Sequence, residues 1–158
     1  MAGDRDVRDE DGDDGGQARR PGEGGHRAVP HTADVRIEAW GGSREQCLAE
    51  AVLAMVECFA DVSGVRADAV RQVRLAEGPD DDLLATLLEE VVFRLEVHGE
   101  VPVDVEAESV DGDVDIRLAM TDMANVQITG AAPKAVSWNE LRLAPGPYGW
   151  SCAVTVDV

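Results

Sequence analysis

Nowhere in these 158 residues does an uninterrupted apolar run approach the roughly 18 residues that a membrane-crossing helix needs. No apolar segment follows the N-terminus, so a secretory leader is not expected. Cysteine is scarce: Cys47, Cys58 and Cys152 form no C-x-x-C pair. Cys47 and Cys58 fall in one predicted helix about 16 Å apart, too far to bridge. They read as reduced core residues, which fits a cytoplasmic protein. Aromatic residues make up 4% and are scattered, which argues against a base-stacking platform.

Positive charge is scarcer still. The chain holds 14 basic residues against 32 acidic ones, for a net charge of −18. Lys134 is its single lysine. The first 27 residues contribute only −3 of that, so the acidity belongs to the part expected to fold. Such a surface repels phosphate backbones and suits divalent cations or a basic protein partner. Several chemistries lack their signatures as well. There is no G-x-S-x-G elbow, no S-x-x-K element and no glycine-rich phosphate loop followed by lysine. His26, His31 and His98 have no cysteine or histidine at zinc spacing.

What is present divides into a tail and one domain. Residues 1–27 are rich in glycine and charge and poor in large apolar side chains, the composition of a disordered segment. Residues 28–158 are long enough for a single packed core. Residues 34–40 alternate, with Val35, Ile37 and Ala39 on one side and Asp34, Arg36, Glu38 and Trp40 on the other. Ser43 with Gln46 is a capping-box start for a helix reaching to about Val62. A short strand is predicted over 70–76. Asp80, Asp81 and Asp82 then open a second helix that closes at Gly99. Four strands are predicted over 101–109, 113–120, 134–143 and 150–157, with Asp111-Gly112 as a hairpin turn and 121–133 as a long loop. The fold class is α+β: a two-layer sandwich in the order β-α-β-α-β-β-β-β, with a mixed, mostly antiparallel sheet and two amphipathic helices on one face.

Two strand ends carry carboxylates on the polar side. Asp34 begins the first strand, and Asp157 lies one residue from the C-terminus, on the face opposite Cys152, Val154 and Val156. Should those strands neighbour one another, two side-chain carboxylates and the terminal carboxylate of Val158 would converge as hard oxygen ligands. The alternative is two solvated strand-end acids in an acidic chain. His31, just after Pro30, is open to reading as ligand, base or turn residue. Trp40 and Trp138 fall on the polar register of their strands and are either packing residues or protein contacts. Lys134 is either a solvated edge lysine or a partner contact.

"HTADVRIEAWG" followed by "REQCLAEAVLAMVECFADV", then "DDLLATLLEEVVFRLE", "PKAVSWNELRL" and a terminal "VDV", resembles the archease family over residues 28–158. The resemblance implies a protein cofactor of the RtcB-type RNA ligase, the GTP- and manganese-dependent enzyme that joins RNA ends in tRNA splicing and RNA repair. Archeases promote guanylylation of the ligase's active-site histidine and allow repeated turnover. The resemblance also implies a divalent metal, calcium by family precedent with magnesium or manganese as alternatives, held by Asp34, Asp157 and Val158. Lys134 matches the lysine of the family's "KA" element, and His31, Trp40 and Trp138 join it as candidate contacts to the ligase. Three features depart from the family pattern: Arg36 where glycine is usual, Asn139 where histidine is frequent, and the composition of the 121–133 loop.

Two other classes compete. A metal-dependent phosphohydrolase would use Asp34 and Asp157, but no nucleophile or general base accompanies them. A chaperone-like scaffold would bind clients through exposed apolar strand surface.

Overall fold

The computed structural model of the chain describes residues 21–30 and 34–158. Nine strands and two α-helices follow one another: β1 (Gly25–Pro30), β2 (Asp34–Gly41), α1 (Arg44–Glu57), β3 (Ala60–Asp61), β4 (Ala69–Leu75), α2 (Asp80–His98), β5 (Glu100–Val110), β6 (Asp113–Asp122), β7 (Gln127–Ile128), β8 (Ala135–Gly146) and β9 (Gly149–Asp157). The α+β class, both helices and the six longer predicted strands are present. Three strands are additional, and the expected sheet is divided. One sheet runs β1-β2-β9-β8, another β4-β6-β5, and β3 pairs with β7 alone. Among the described residues every strand pair is antiparallel, so the sheet is not mixed.

Both larger sheets turn their apolar side to the helices. Ile37, Ala39, Val154 and Val156 from one sheet, and Val114, Ile116 and Leu118 from the other, share one buried cluster with Leu48, Val52, Leu84 and Leu88 of the helices. A smaller cluster of Val56, Phe59, Leu95 and Val101 holds Met123 and Val126. That is why the predicted 121–133 loop is tied down. It contains a short 3₁₀ turn and β7, whose Ile128 pairs with Ala60.

The local reasons are legible. Ser43 Oγ accepts the Gln46 N–H at 3.0 Å, while Gln46 Oε1 reaches back to the Gly42 N–H at 2.7 Å, one residue beyond a standard capping box. α1 ends at Glu57 rather than near Val62, because Phe59 offers its carbonyl to the N–H of Thr129 and Ala60 enters the β3–β7 pair. α2 carries Asp80, Asp81 and Asp82 in its first turn and terminates on Gly99, which takes the left-handed conformation at φ 64°. The β5–β6 turn is the expected one, with φ 52° at Asp111 and 89° at Gly112.

Of the tail expected over residues 1–27, residues 1–20 lie outside the described residues, and its last three residues belong to a strand. Strand β1 begins at Gly25, and His26, expected in a disordered tail, lies opposite Ala39 of β2. Composition alone concealed this, because none of the strand's described side chains is buried and it is held by pairing with β2 and by the ion pairs of His26.

Candidate metal centre

The site is built from the register of two strands. Val35 faces Val156, Ile37 faces Val154 and Ala39 faces Cys152, all on the helix side. The alternate positions form the outer row, and at its end Asp34 stands directly opposite Asp157. A slip of one residue would drive the carboxylates toward the core and the valines outward, so hydrophobic burial itself fixes this pairing. Directly opposed side chains on an antiparallel pair have Cβ atoms about 4.5–5.5 Å apart.

A third strand closes the other side. Ala135 of β8 pairs with Asp157, and the Lys134 N–H donates to the Asp157 carbonyl at 2.8 Å. Val158, half-buried against the main core cluster, brings the chain's terminal carboxylate to the same end. Asp34, Asp157, Val158 and Lys134 are therefore brought together. His31 lies outside the described residues.

The charges around the pair are committed elsewhere. Arg36, on the same outer row, is spent on Glu38 at 3.3 Å, and Arg27 pairs with Glu38 as well. Among the described residues no ion pair joins Asp34 or Asp157 to a basic side chain. Nor do three or more His, Cys, Asp or Glu side chains converge on one point among the described residues. A cation here would rest on two side-chain carboxylates and the terminal one, an all-oxygen set that suits a hard divalent ion.

The two tryptophans separate. Trp40 lies opposite Ser151, six residues along β2 from Asp34 and so roughly 20 Å away. Its ring covers Gly25, where an added Cβ would come within 2.6 Å of the indole. Trp40 thus belongs to the packing at the far end of the sheet. Trp138 is exposed, and its indole N–H donates to Glu89 Oε2 of α2 at 2.8 Å. It stands where the β8–β9 register shifts, between Ser137 and Arg142, with Glu140 in the left-handed region at φ 62°. This bulge left no trace in the alternation of the strand.

Sequence reasoning also missed a second cluster. The His26 ring bridges two carboxylates of α1, Nδ1 to Glu50 at 2.7 Å and Nε2 to Glu57 at 2.8 Å. Burial alone would lower the His26 pKa, but hydrogen bonds to Glu50 and Glu57, with their charges, outweigh it and raise the value above 6.5. The sequence signal available was weak: acids seven apart on one helix, with a histidine far upstream. The three cysteines are thiols. Burial, aided by the negative charge of Glu57, pushes Cys58 up to about 11, which leaves it protonated at neutral pH. Among the described residues no helix is long and apolar enough to cross a membrane.

Known proteins resemble this chain in sequence and in fold. The profile of the Archease protein family (MTH1598/TM1083) matches residues 26–158. A probable protein archease from Mycobacterium tuberculosis is 52% identical over 143 residues, covering 90% of this chain and 80% of that protein. Protein archease from Methanosarcina barkeri is 27% identical, covering 82% of this chain and 93% of its own. Two solved structures have the same fold. Protein 1598 of Methanobacterium thermoautotrophicum superposes with a TM-score of 0.68 at 22% identity, over 85% of this chain and 99% of the other. An archease from Thermotoga maritima, described as a possible chaperone, gives 0.60 at 17% identity, over 90% and 98%. With a family match running from β1 to the last residue, the chain belongs to the archease family.

Proposed function

We propose that this chain is a non-catalytic activator of an RtcB-type RNA ligase in the cytoplasm, working through a divalent-metal site formed by Asp34, Asp157 and the Val158 carboxylate. The observation that carries the reading is the pairing of Asp34 with Asp157 beside the C-terminus. Like charges directly opposed on a sheet destabilise it by roughly 0.2–1 kcal/mol. Among the described residues no ion pair to a basic side chain offsets that repulsion, which supports reading the pair as a seat for a cation. A bound calcium, or magnesium or manganese on the same oxygens, would supply the neutralising charge.

The chain's own part is positional. β2 and β9 fix the carboxylates by burying the alternate residues, so the acidic tip reaches a partner without reordering. Lys134, tethered through its backbone to Asp157, holds a cationic side chain beside the tip, where an anionic phosphate group of the ligase's GTP would approach. The partner's task, guanylylation of its active-site histidine, gains from such placement of charge.

The test is ligation at limiting ligase, with and without this protein. Conversion from one turnover to many, lost in Asp34→Ala and Asp157→Ala and weakened in Lys134→Ala, is the expected result. Calcium titrated into the protein alone should give a saturable binding heat in the wild type and none in either aspartate variant. A chaperone-like role is the second reading. It draws on the exposed Phe93, Val97 and Ile128 and on the words attached to the Thermotoga structure. Capture of unfolded clients that is indifferent to Asp34 and Asp157 would favour it.

A further inference from the structure

Helix α2 has an outward stripe at 82, 86, 89, 93 and 97, and its last two positions are not polar. Phe93 is 48% exposed and Val97 60%. Trp138, 51% exposed, is bound to Glu89 on the same stripe, so the three form one strip. Spacing of four residues puts Glu89, Phe93 and Val97 on successive turns of one face.

Two contacts give the strip a direction. The Leu143 N–H donates to Asp81 at the start of α2, and Trp138 donates to Glu89 two turns later. α2 therefore runs antiparallel to β8: eight helical residues cover about 12 Å while five strand residues cover about 16 Å. Phe93 and Val97 continue toward the beginning of β8, where Ala135 lies beside Asp157. The strip leads to the carboxylate end of the molecule.

The fold also bears a cost to display Trp138. The break in the β8 ladder and the left-handed Glu140 take Trp138 out of the regular register, and a non-glycine residue in that conformation costs stability.

We propose that Trp138, Phe93 and Val97 form the docking strip for a partner protein that presents an apolar side chain flanked by arginine or lysine. The partner's chemistry follows from the charges. Glu89 and Glu96 flank the aromatic groups, and Phe93 meets the His98 ring edge-on at 5.6 Å. A second copy of a chain carrying −18 is repelled, whereas a basic surface is attracted. Arginine in addition stacks on a half-exposed indole. The inference rests on the activator reading, since it supplies the surface on which the ligase is held while the carboxylates meet it.

The experiment uses the full chain and the purified ligase. Affinity is measured by calorimetry at low and high salt for wild type, the Phe93→Ser/Val97→Ser double variant, Trp138→Ser, Phe93→Leu and Asp34→Ala. The double variant removes only exposed side chains, and an unchanged melting curve checks that it folds. It should bind at least tenfold more weakly, with activation recovered at saturating concentration, while Phe93→Leu stays near wild type. Asp34→Ala should bind within about twofold of wild type yet fail to activate at any concentration, and salt should weaken wild-type binding. Undiminished affinity of the double variant, with the wild type active, overturns the strip and leaves the activator reading standing. A wild-type protein that neither binds nor activates the ligase overturns both. A dimer seen by sedimentation and dissolved by the double substitution assigns the strip to self-association and overturns the proposal.

Discussion

The two ends of the β2–β9 ladder are built on opposite principles. At one end Trp40 lies over Gly25, Trp150 faces Gly41, and Gly149 is so close to the Gly41 carbonyl that even a methyl group has no room. At the other, two carboxylates face each other across the strands, and among the described residues no ion pair joins them to a basic side chain. The first end is closed by packing, and stability is what it provides. The second gives up stability to hold charge in a fixed place, and that contrast is what the proposed metal site rests on. The same eight-residue pairing serves both, because alternation puts one row of residues in the core whatever the other row contains.

Substitutions should separate the two ends, beginning with the largest effect. Gly149→Ala puts a Cβ against the Gly41 carbonyl at a residue with φ 127°. It should cost roughly 3 kcal/mol, read as a lower urea midpoint with an unchanged slope. A loss under about 1 kcal/mol would show that the Trp40 end yields more readily than its packing suggests. At the carboxylate end, calcium at a hundredfold excess over its Kd should stabilise the wild type by about 2.7 kcal/mol and leave Asp157→Asn unmoved. Equal shifts in both proteins would remove the metal from the comparison.

Next to the Trp40 end, opposite Ala39, lies the His26 bridge to Glu50 and Glu57. Its folded-state pKa is raised, so its stabilising contribution is complete below about 6.5 and is lost as pH rises through the folded value. Wild-type stability should therefore fall across that window, and His26→Gln should flatten the fall. Identical pH profiles would show that β1 is held by its pairing with β2 alone. The smallest effect is expected from Asp34→Asn without metal, a gain of roughly 0.2–1 kcal/mol from relieved repulsion. A clear loss would mean that Asp34 has a stabilising partner in the folded protein.

How far the sequence reached depended on whether a feature was periodic. The alternation in 34–40 and 150–157 placed Asp34 and Asp157 on the polar faces of their strands, and both were found there. Ser43, the acidic first turn of α2, Gly99 and Asp111-Gly112 act locally, so their roles were readable from neighbours in the chain. The 3.6-residue stripes of the two helices likewise announced the face that each would bury.

Other features had no periodic trace. β1 is held by its cross-strand ladder and by Glu50 and Glu57, residues distant in sequence, so its own composition resembled a tail. β3 and β7 are two residues each and exist because the smaller core cluster anchors the chain around them. The β8 bulge, which turns Trp138 toward Glu89, follows from fitting β8 to β9 and α2 together.

By itself the sequence determined which residues face inward, where the helices begin and that two acids end their strands on the polar side. Those properties come from chain-local chemistry and from the periods of helix and strand. Only the tertiary structure decided that the first long strand and the last would be neighbours, in the register that sets Asp34 against Asp157. Strand partnership is settled by burial summed over both apolar faces, and no local stretch of the chain contains that sum.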